Sequence, residues 1–309
     1  MRPVSWILLV GPLFGMAAST ASAQESASSF DVPAWAQDTQ AVMSAAGLLV
    51  IIGAFGRWAH RRSVLTHMTD NFTPWGGVEA LAAALTWIVL KTIPIQIVAG
   101  VGGWQPVDLP MGWILATDVL AAVVVLGFSI WMMRRRYGVL ADSLGLRWDN
   151  PFVAIGLAAL GLLATTPVQF ALAKALKTIG VEIEQGVVQE VSQRSGMDLV
   201  LAVVMVVLVA PVVEEFLFRG VIQMGVRRYL GPWGAILFSS VLFASVHRDW
   251  NASPGDLQAW SVPLLILPLG LVLGYLYQRR QSLMAPIALH MLFNGFTVVV
   301  LVAVHLGWK

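Results

Sequence analysis

The run LVLAVVMVVLVAPVVEEFLFRGVIQMG, residues 199–225, decides how this chain is read. It is long and apolar enough to cross a bilayer, which takes about 20 residues rising 1.5 Å each. Yet it holds two adjacent glutamates, Glu214 and Glu215, and then Arg219. Charges at bilayer depth are costly, so ionisable groups persist there where they pair or perform chemistry. On a helix, positions four apart share a face while neighbours diverge by about 100°. Glu215 and Arg219 are therefore natural ion-pair partners, in the favourable order of acid before base. Glu214 points elsewhere, without a local partner, and is available as a base.

The rest of the chain supplies the setting. It is 58% hydrophobic and 12% charged over 309 residues, with mean hydropathy +0.77. A soluble domain carries roughly 25% charged residues, so the expected fold is all-α, a polytopic transmembrane helix bundle. No cysteine is present, which excludes disulfides, thiolate metal sites and a cysteine nucleophile.

Residues 1–23 read as a signal peptide, with Arg2, the apolar stretch Val4 to Met16 and the cleavage site Ala21-Ser22-Ala23. An extracytoplasmic polar segment, 24–38, follows. About eight transmembrane helices are then expected, near 40–58, 77–100, 111–133, 152–173, 199–226, 233–250, 261–278 and 284–305. We divide the chain into N-terminal helices, 39–150, and a C-terminal protease-like unit, 151–309. Alternate loops carry Arg57/Arg61/Arg62, Arg134/Arg135/Arg136/Arg147, Arg227/Arg228 and Arg279/Arg280. The excess of loop cations places these loops in the cytoplasm and both mature termini outside. Between Ala173 and Asp198, apolar residues recur at three- and four-residue spacing, as in an amphipathic interfacial helix.

Tyr229-Leu230-Gly231-Pro232-Trp233 reads as a break between antiparallel helices. Glu214 lies 17 residues before Gly231 and His247 16 after it, so the two reach similar depth and a carboxylate can meet an imidazole. Phe243, one turn before His247, can wall the site. His290 and Asn294 share a face of the last helix, whose start is signalled by Ser282 and Pro286. Side by side they suit two donors to a developing oxyanion. Gly270 and Gly274 on the preceding helix permit close packing beside it. Glu79, Lys91 and Asp118 read as snorkelling or interhelix-paired groups, His60 and His67 as solvated loop residues, and His305 as interfacial.

In order, Glu-Glu-x-x-x-Arg at 214–219, Phe-x-x-x-His at 243–247 and His-x-x-x-Asn at 290–294 resemble the motifs of the CPBP intramembrane proteases, which include CAAX-processing and bacteriocin-processing (Abi) members. The likeness covers about the last 110 residues. It implies an intramembrane endopeptidase in which Glu214, assisted by His247, activates water. His290 and Asn294 would stabilise the oxyanion, with Glu215, Arg219 and Phe243 in support.

The resemblance leaves the metal open, since the family is described both as metalloproteases and as metal-free glutamate enzymes. Glu214, His247 and His290 could form a zinc site, although no His-Glu-x-x-His motif is present. A serine mechanism is less attractive, because neither Ser239 nor Ser240 has a base at helical spacing. The expected partners are the lipid bilayer and a membrane protein or peptide substrate, with no nucleic acid. The setting is a bacterial inner membrane, where a leader peptide or bacteriocin-like precursor suits better than a prenylated protein. The same polar cluster could instead serve a non-catalytic scaffold or chaperone, or a proton-coupled transporter.

Overall fold

The structure is a computed structural model that describes residues 34–59, 73–104, 109–138, 141–181, 195–249, 252–253 and 255–305. The signal peptide, most of the polar segment after it, His60, His67 and residues 182–194 of the amphipathic stretch lie outside the described residues. Among the described residues the fold is helical, with no strand, and the protein is a multi-pass integral membrane protein.

Helix α1 spans Ala34–Ala59, α2 Gly77–Gly102, α3 Met111–Tyr137 and α4 Pro151–Thr178. The backbone then runs helically over Gly196–Ser245, broken at Gly231, where φ is 68° and ψ is 176°. Only glycine adopts that conformation readily, and Pro232 cannot continue the hydrogen-bond ladder behind it. The break separates α5 (196–230) from α6 (232–245). Helices α7 (Ser261–Arg280) and α8 (Met284–His305) complete the bundle. Among the described residues, six continuous helical stretches are long and apolar enough to cross a membrane, with the broken Gly196–Ser245 counted as one.

Several boundaries differ from the sequence reading. Helix α1 begins inside the supposed polar segment, at Ala34, and the first turns of the supposed interfacial helix are the end of α4, which runs to Thr178. Helix α6 stops at Ser245, so His247 lies in the turn beyond it. Propensity and pattern place helix ends only to within a turn.

Helix α5 is the axis of the bundle. It touches α2, α3, α6, α7 and α8, while α4 packs between α1 and the pair α7/α8. The main core draws on both sides of residue 150, from Trp75, Trp87, Val125 and Met133 to Phe216, Phe218, Leu273 and Leu289. Leu48, Leu49, Ile52 and Phe55 of α1 stay exposed, as the lipid-facing side of a spanning helix requires.

The arginine-bearing ends gather at one end of the bundle. Glu79 accepts from the Gly76 N–H and from the Tyr137 hydroxyl, and Arg136 lies 3.5 Å away. Trp75 Nε1 donates to the Val221 carbonyl, and Thr73 to that of Met224. Arg280 clamps Asp149 through two hydrogen bonds of 2.8 and 2.6 Å. Burial alone would raise the Asp149 carboxyl, but these bonds and the arginine charge hold it below its usual range.

Candidate active site

The site is built on an irregularity of α5. Its hydrogen bonding loosens to π-type turns over Met205–Val209 and again over Phe216–Gln223, leaving a short α-helical piece, Ala210–Glu215, that carries both glutamates. Such wide turns recur at functional sites, and here the first has an identifiable cause. The Ala210 N–H bonds the Met205 carbonyl, and the next residue, Pro211, has no N–H. The Val206 carbonyl therefore has no donor within the helix. Asn294 Nδ2 from α8 supplies one at 2.8 Å.

From this piece a buried polar chain runs across the bundle. Arg219 Nε donates to Glu215 Oε2 at 3.0 Å, with both side chains fully enclosed. The other oxygen of Glu215 receives His290 Nδ1 at 3.0 Å. A carboxylate beside Arg219 can only accept, so Nδ1 carries the proton and His290 Nε2 is turned toward Glu214, whose Oε2 is 3.9 Å away. Arg219 continues the chain in the other direction. Its Nη1 donates to Ser239 Oγ at 3.3 Å, Ser239 donates to Gln223, and Gln223 Nε2 donates to the Gly274 carbonyl at 3.0 Å. A Cβ on Gly274 would stand 2.9 Å from Gln223 Oε1, so glycine is needed there for α7 to approach α5. Gly270 likewise abuts Ser240 of α6. These glycines thus serve contacts with α5 and α6 rather than the expected contact with α8.

Phe243 is the wall of the site. Its ring lies 5.0 Å from the His247 ring, 5.5 Å from the His290 ring and 5.0 Å from the Arg219 guanidinium. It also contacts Phe218 edge-on at 5.3 Å, and Phe218 in turn meets Trp87 of α2 at 6.3 Å. Aromatic edges on both sides exclude water from the Arg219–Glu215 pair.

Glu215 partners His290 as well as Arg219, and Glu214, expected without a partner on its own helix, faces His290 Nε2. His247 donates Nδ1–H to the Phe243 carbonyl at 2.8 Å, which fixes its tautomer and leaves Nε2 as an acceptor. The charged or titratable groups that act on it include Glu214, His290 and Lys91. One Asn294 N–H is committed to the Val206 carbonyl, so that side chain also has a structural task. Ser239 is held by Arg219 and Gln223, not by a base.

Among the described residues, no three His, Asp or Glu side chains come together as a set that could hold a metal ion. Lys91 of α2 and Asp118 of α3, read from the sequence as snorkelling or interhelix-paired, form an interhelix ion pair at 3.7 Å. They also line, with Trp87 and Val213, the cleft into which Glu214 opens. The available signal was two opposite charges in apolar helices 27 residues apart, but nothing in the spacing directs them to this site.

Comparison with known proteins bears on the same segment. Residues 196–296, which hold all three motifs, match the model of the type II CAAX prenyl endopeptidase Rce1-like family. YdiL of Bacillus subtilis (strain 168), named as a candidate membrane peptidase, is 26% identical over 233 residues, covering 70% of this chain and 86% of its own length. No solved structure matches the chain at a comparable level. Three motifs in order on one helical bundle, together with these two likenesses, make residues 196–296 similar to the Rce1-like endopeptidases and support the resemblance to the CPBP intramembrane proteases.

Proposed function

We propose that this protein is an intramembrane endopeptidase in which Glu214 activates the hydrolytic water. The observation that carries the reading is the continuous chain Arg219–Glu215–His290–Glu214, which sets a carboxylate at a cleft with an imidazole nitrogen facing it. With His290 protonated, each of its N–H groups has a carboxylate to face. The four side chains then sum to zero charge, as a low-dielectric interior favours.

In the reaction, Glu214 takes a proton from water while the water oxygen bonds to the scissile carbonyl carbon, and the C=O π pair moves onto oxygen. As Glu214 becomes neutral, the negative charge passes to that oxygen. His290 Nε2–H follows it, joined by the second N–H of Asn294. The intermediate then reforms C=O and breaks the C–N bond, and Glu214 returns its proton to the leaving amine. The products are one carboxylic acid and one amine. His247 Nε2 accepts a hydrogen bond from the water and helps orient it. No step is routed through a metal. The substrate class is a membrane protein or leader peptide whose backbone can unwind into the cleft.

The test is a comparison of membrane-protein termini in a deletion strain complemented by wild type or Glu214→Gln, followed by the purified enzymes in liposomes. A terminus generated by wild type should vanish in the variant, and the purified rate should fall by about 10²–10⁴, the range for a lost general base. An unchanged rate in Glu214→Gln overturns the mechanism. EDTA should leave the wild-type rate intact, whereas a loss that zinc restores overturns the metal-free step.

A further inference from the structure

Lys91 stands 14 residues after Gly77 and 11 before Gly102 in α2, about 16 Å or more from either helix end. Its ammonium is therefore well inside the span, where a lysine is expensive unless employed. Trp87, one turn earlier, offers its ring at 5.5 Å, and Asp118 of α3 lies at 3.7 Å. The two partners differ in burial. Asp118 is 7% exposed, and its Oδ1 has no hydrogen-bond partner, while Lys91 is 33% exposed. Both line the cleft they share with Glu214, and the ammonium is the more exposed of the two.

We propose that Lys91 is a substrate-contacting cation of this enzyme, held by Asp118 and Trp87 so that its ammonium meets the oxygen of the scissile carbonyl. The inference rests on the peptidase reading above and adds a group from helices that carry none of the three motifs. Its logic is one of charge movement. Before reaction the negative charge at the cleft is on Glu214; after water attacks, the proton is on Glu214 and the charge is on the substrate oxygen. A fixed cation nearer to that oxygen than to Glu214 is worth more in the transition state than in the ground state, which is the condition for accelerating the step. Asp118 makes the arrangement tolerable by cancelling the net charge of Lys91 in the bilayer, and Trp87 fixes the stem. Asp118 is a positioning residue.

The experiment uses the full chain in liposomes and two probes: a peptide cut by wild type, and its phosphinate, in which a tetrahedral anionic phosphorus replaces the scissile peptide group. The variants are Lys91→Met/Asp118→Asn, which removes both charges together and leaves neither orphaned, and Lys91→Arg, which keeps the cation. The double variant should bind the phosphinate about 100-fold more weakly than wild type, the scale for one lost oxyanion partner. Binding of the parent peptide, compared in a Glu214→Gln background, should change less than about threefold, the signature of an interaction made only in the transition state. Lys91→Arg should recover at least about tenfold of the phosphinate loss, since charge rather than shape is at issue. Equal weakening of both probes, or of neither, overturns the proposal. The two readings fail separately. A cut that Glu214→Gln abolishes and the double variant leaves untouched sinks only the role of Lys91, whereas absence of any wild-type cut sinks both.

Discussion

Arg219 and Lys91 are both cations within the apolar part of the bundle, and each has a carboxylate within 4 Å, yet they are built differently. Arg219 is fully enclosed, finds its partner on its own helix and is tied to Ser239 and to the Phe243 face. Lys91 has its carboxylate on another helix, at a longer distance, and leaves its head at the edge of a cleft. The difference separates support from contact. An enclosed guanidinium cannot meet a substrate, so it holds Glu215, which holds His290; an ammonium at a cleft edge costs less to bury and can be met from outside.

The largest test of that contrast is Arg219→Met. It leaves the buried Glu215 carboxylate with His290 alone and should destabilise the protein by about 3–5 kcal/mol, measured by thermal unfolding in detergent. Lys91→Met/Asp118→Asn, which removes a partly exposed pair as a unit, should change stability by less than about 1 kcal/mol. Equal effects would break the comparison.

A smaller effect separates the two tasks of Asn294. Asn294→Ala orphans the Val206 carbonyl and should cost about 1–3 kcal/mol. Adding Pro211→Ala restores an N–H to α5, so stability should return while cleavage stays slow. Recovery of both would make Asn294 purely structural.

The smallest effect belongs to the opposite case, an ion pair at the arginine-rich end. The Asp149 carboxyl is held low by Arg280 against the pull of burial. Its contribution is therefore complete above the unfolded carboxyl pKa, about 3.9, and is lost as pH falls through the lower folded value. Asp149→Asn should cost about 1 kcal/mol at neutral pH and flatten the acid limb of the stability profile below about pH 4.

What could be read from the sequence was what lies within one helix or one turn. The Glu215–Arg219 spacing, the break at Gly231 and the wall at Phe243 each need only helical geometry and backbone rules. The bond from Glu215 to His290 joins residues 75 apart, and that from Asn294 to Val206 joins residues 88 apart. Both depend on how α8 is rotated against α5. That rotation is altered by π turns, and apolar periodicity does not reveal the first of them, because the residues around Met205–Val209 are apolar on every side. For Lys91 and Asp118 the sequence allows snorkelling or interhelix pairing, and that they pair with each other beside the cleft depends on how α2 and α3 are set together.

The arrest of α6 at Ser245 has a consequence for His247. From 232 to 245 it is 14 residues long, about 21 Å, against a hydrocarbon layer of about 30 Å. The segment beyond it is rich in hydrogen-bonding groups: the Arg248 guanidinium donates to the carbonyls of Asp249 and Ser253, and Asp256 accepts from the Gln258 N–H. Such a backbone at that depth must be enclosed by protein or wetted, and Asp249 is exposed. The stunted helix thus leaves His247 in a turn followed by polar backbone, not inside a continuous apolar wall.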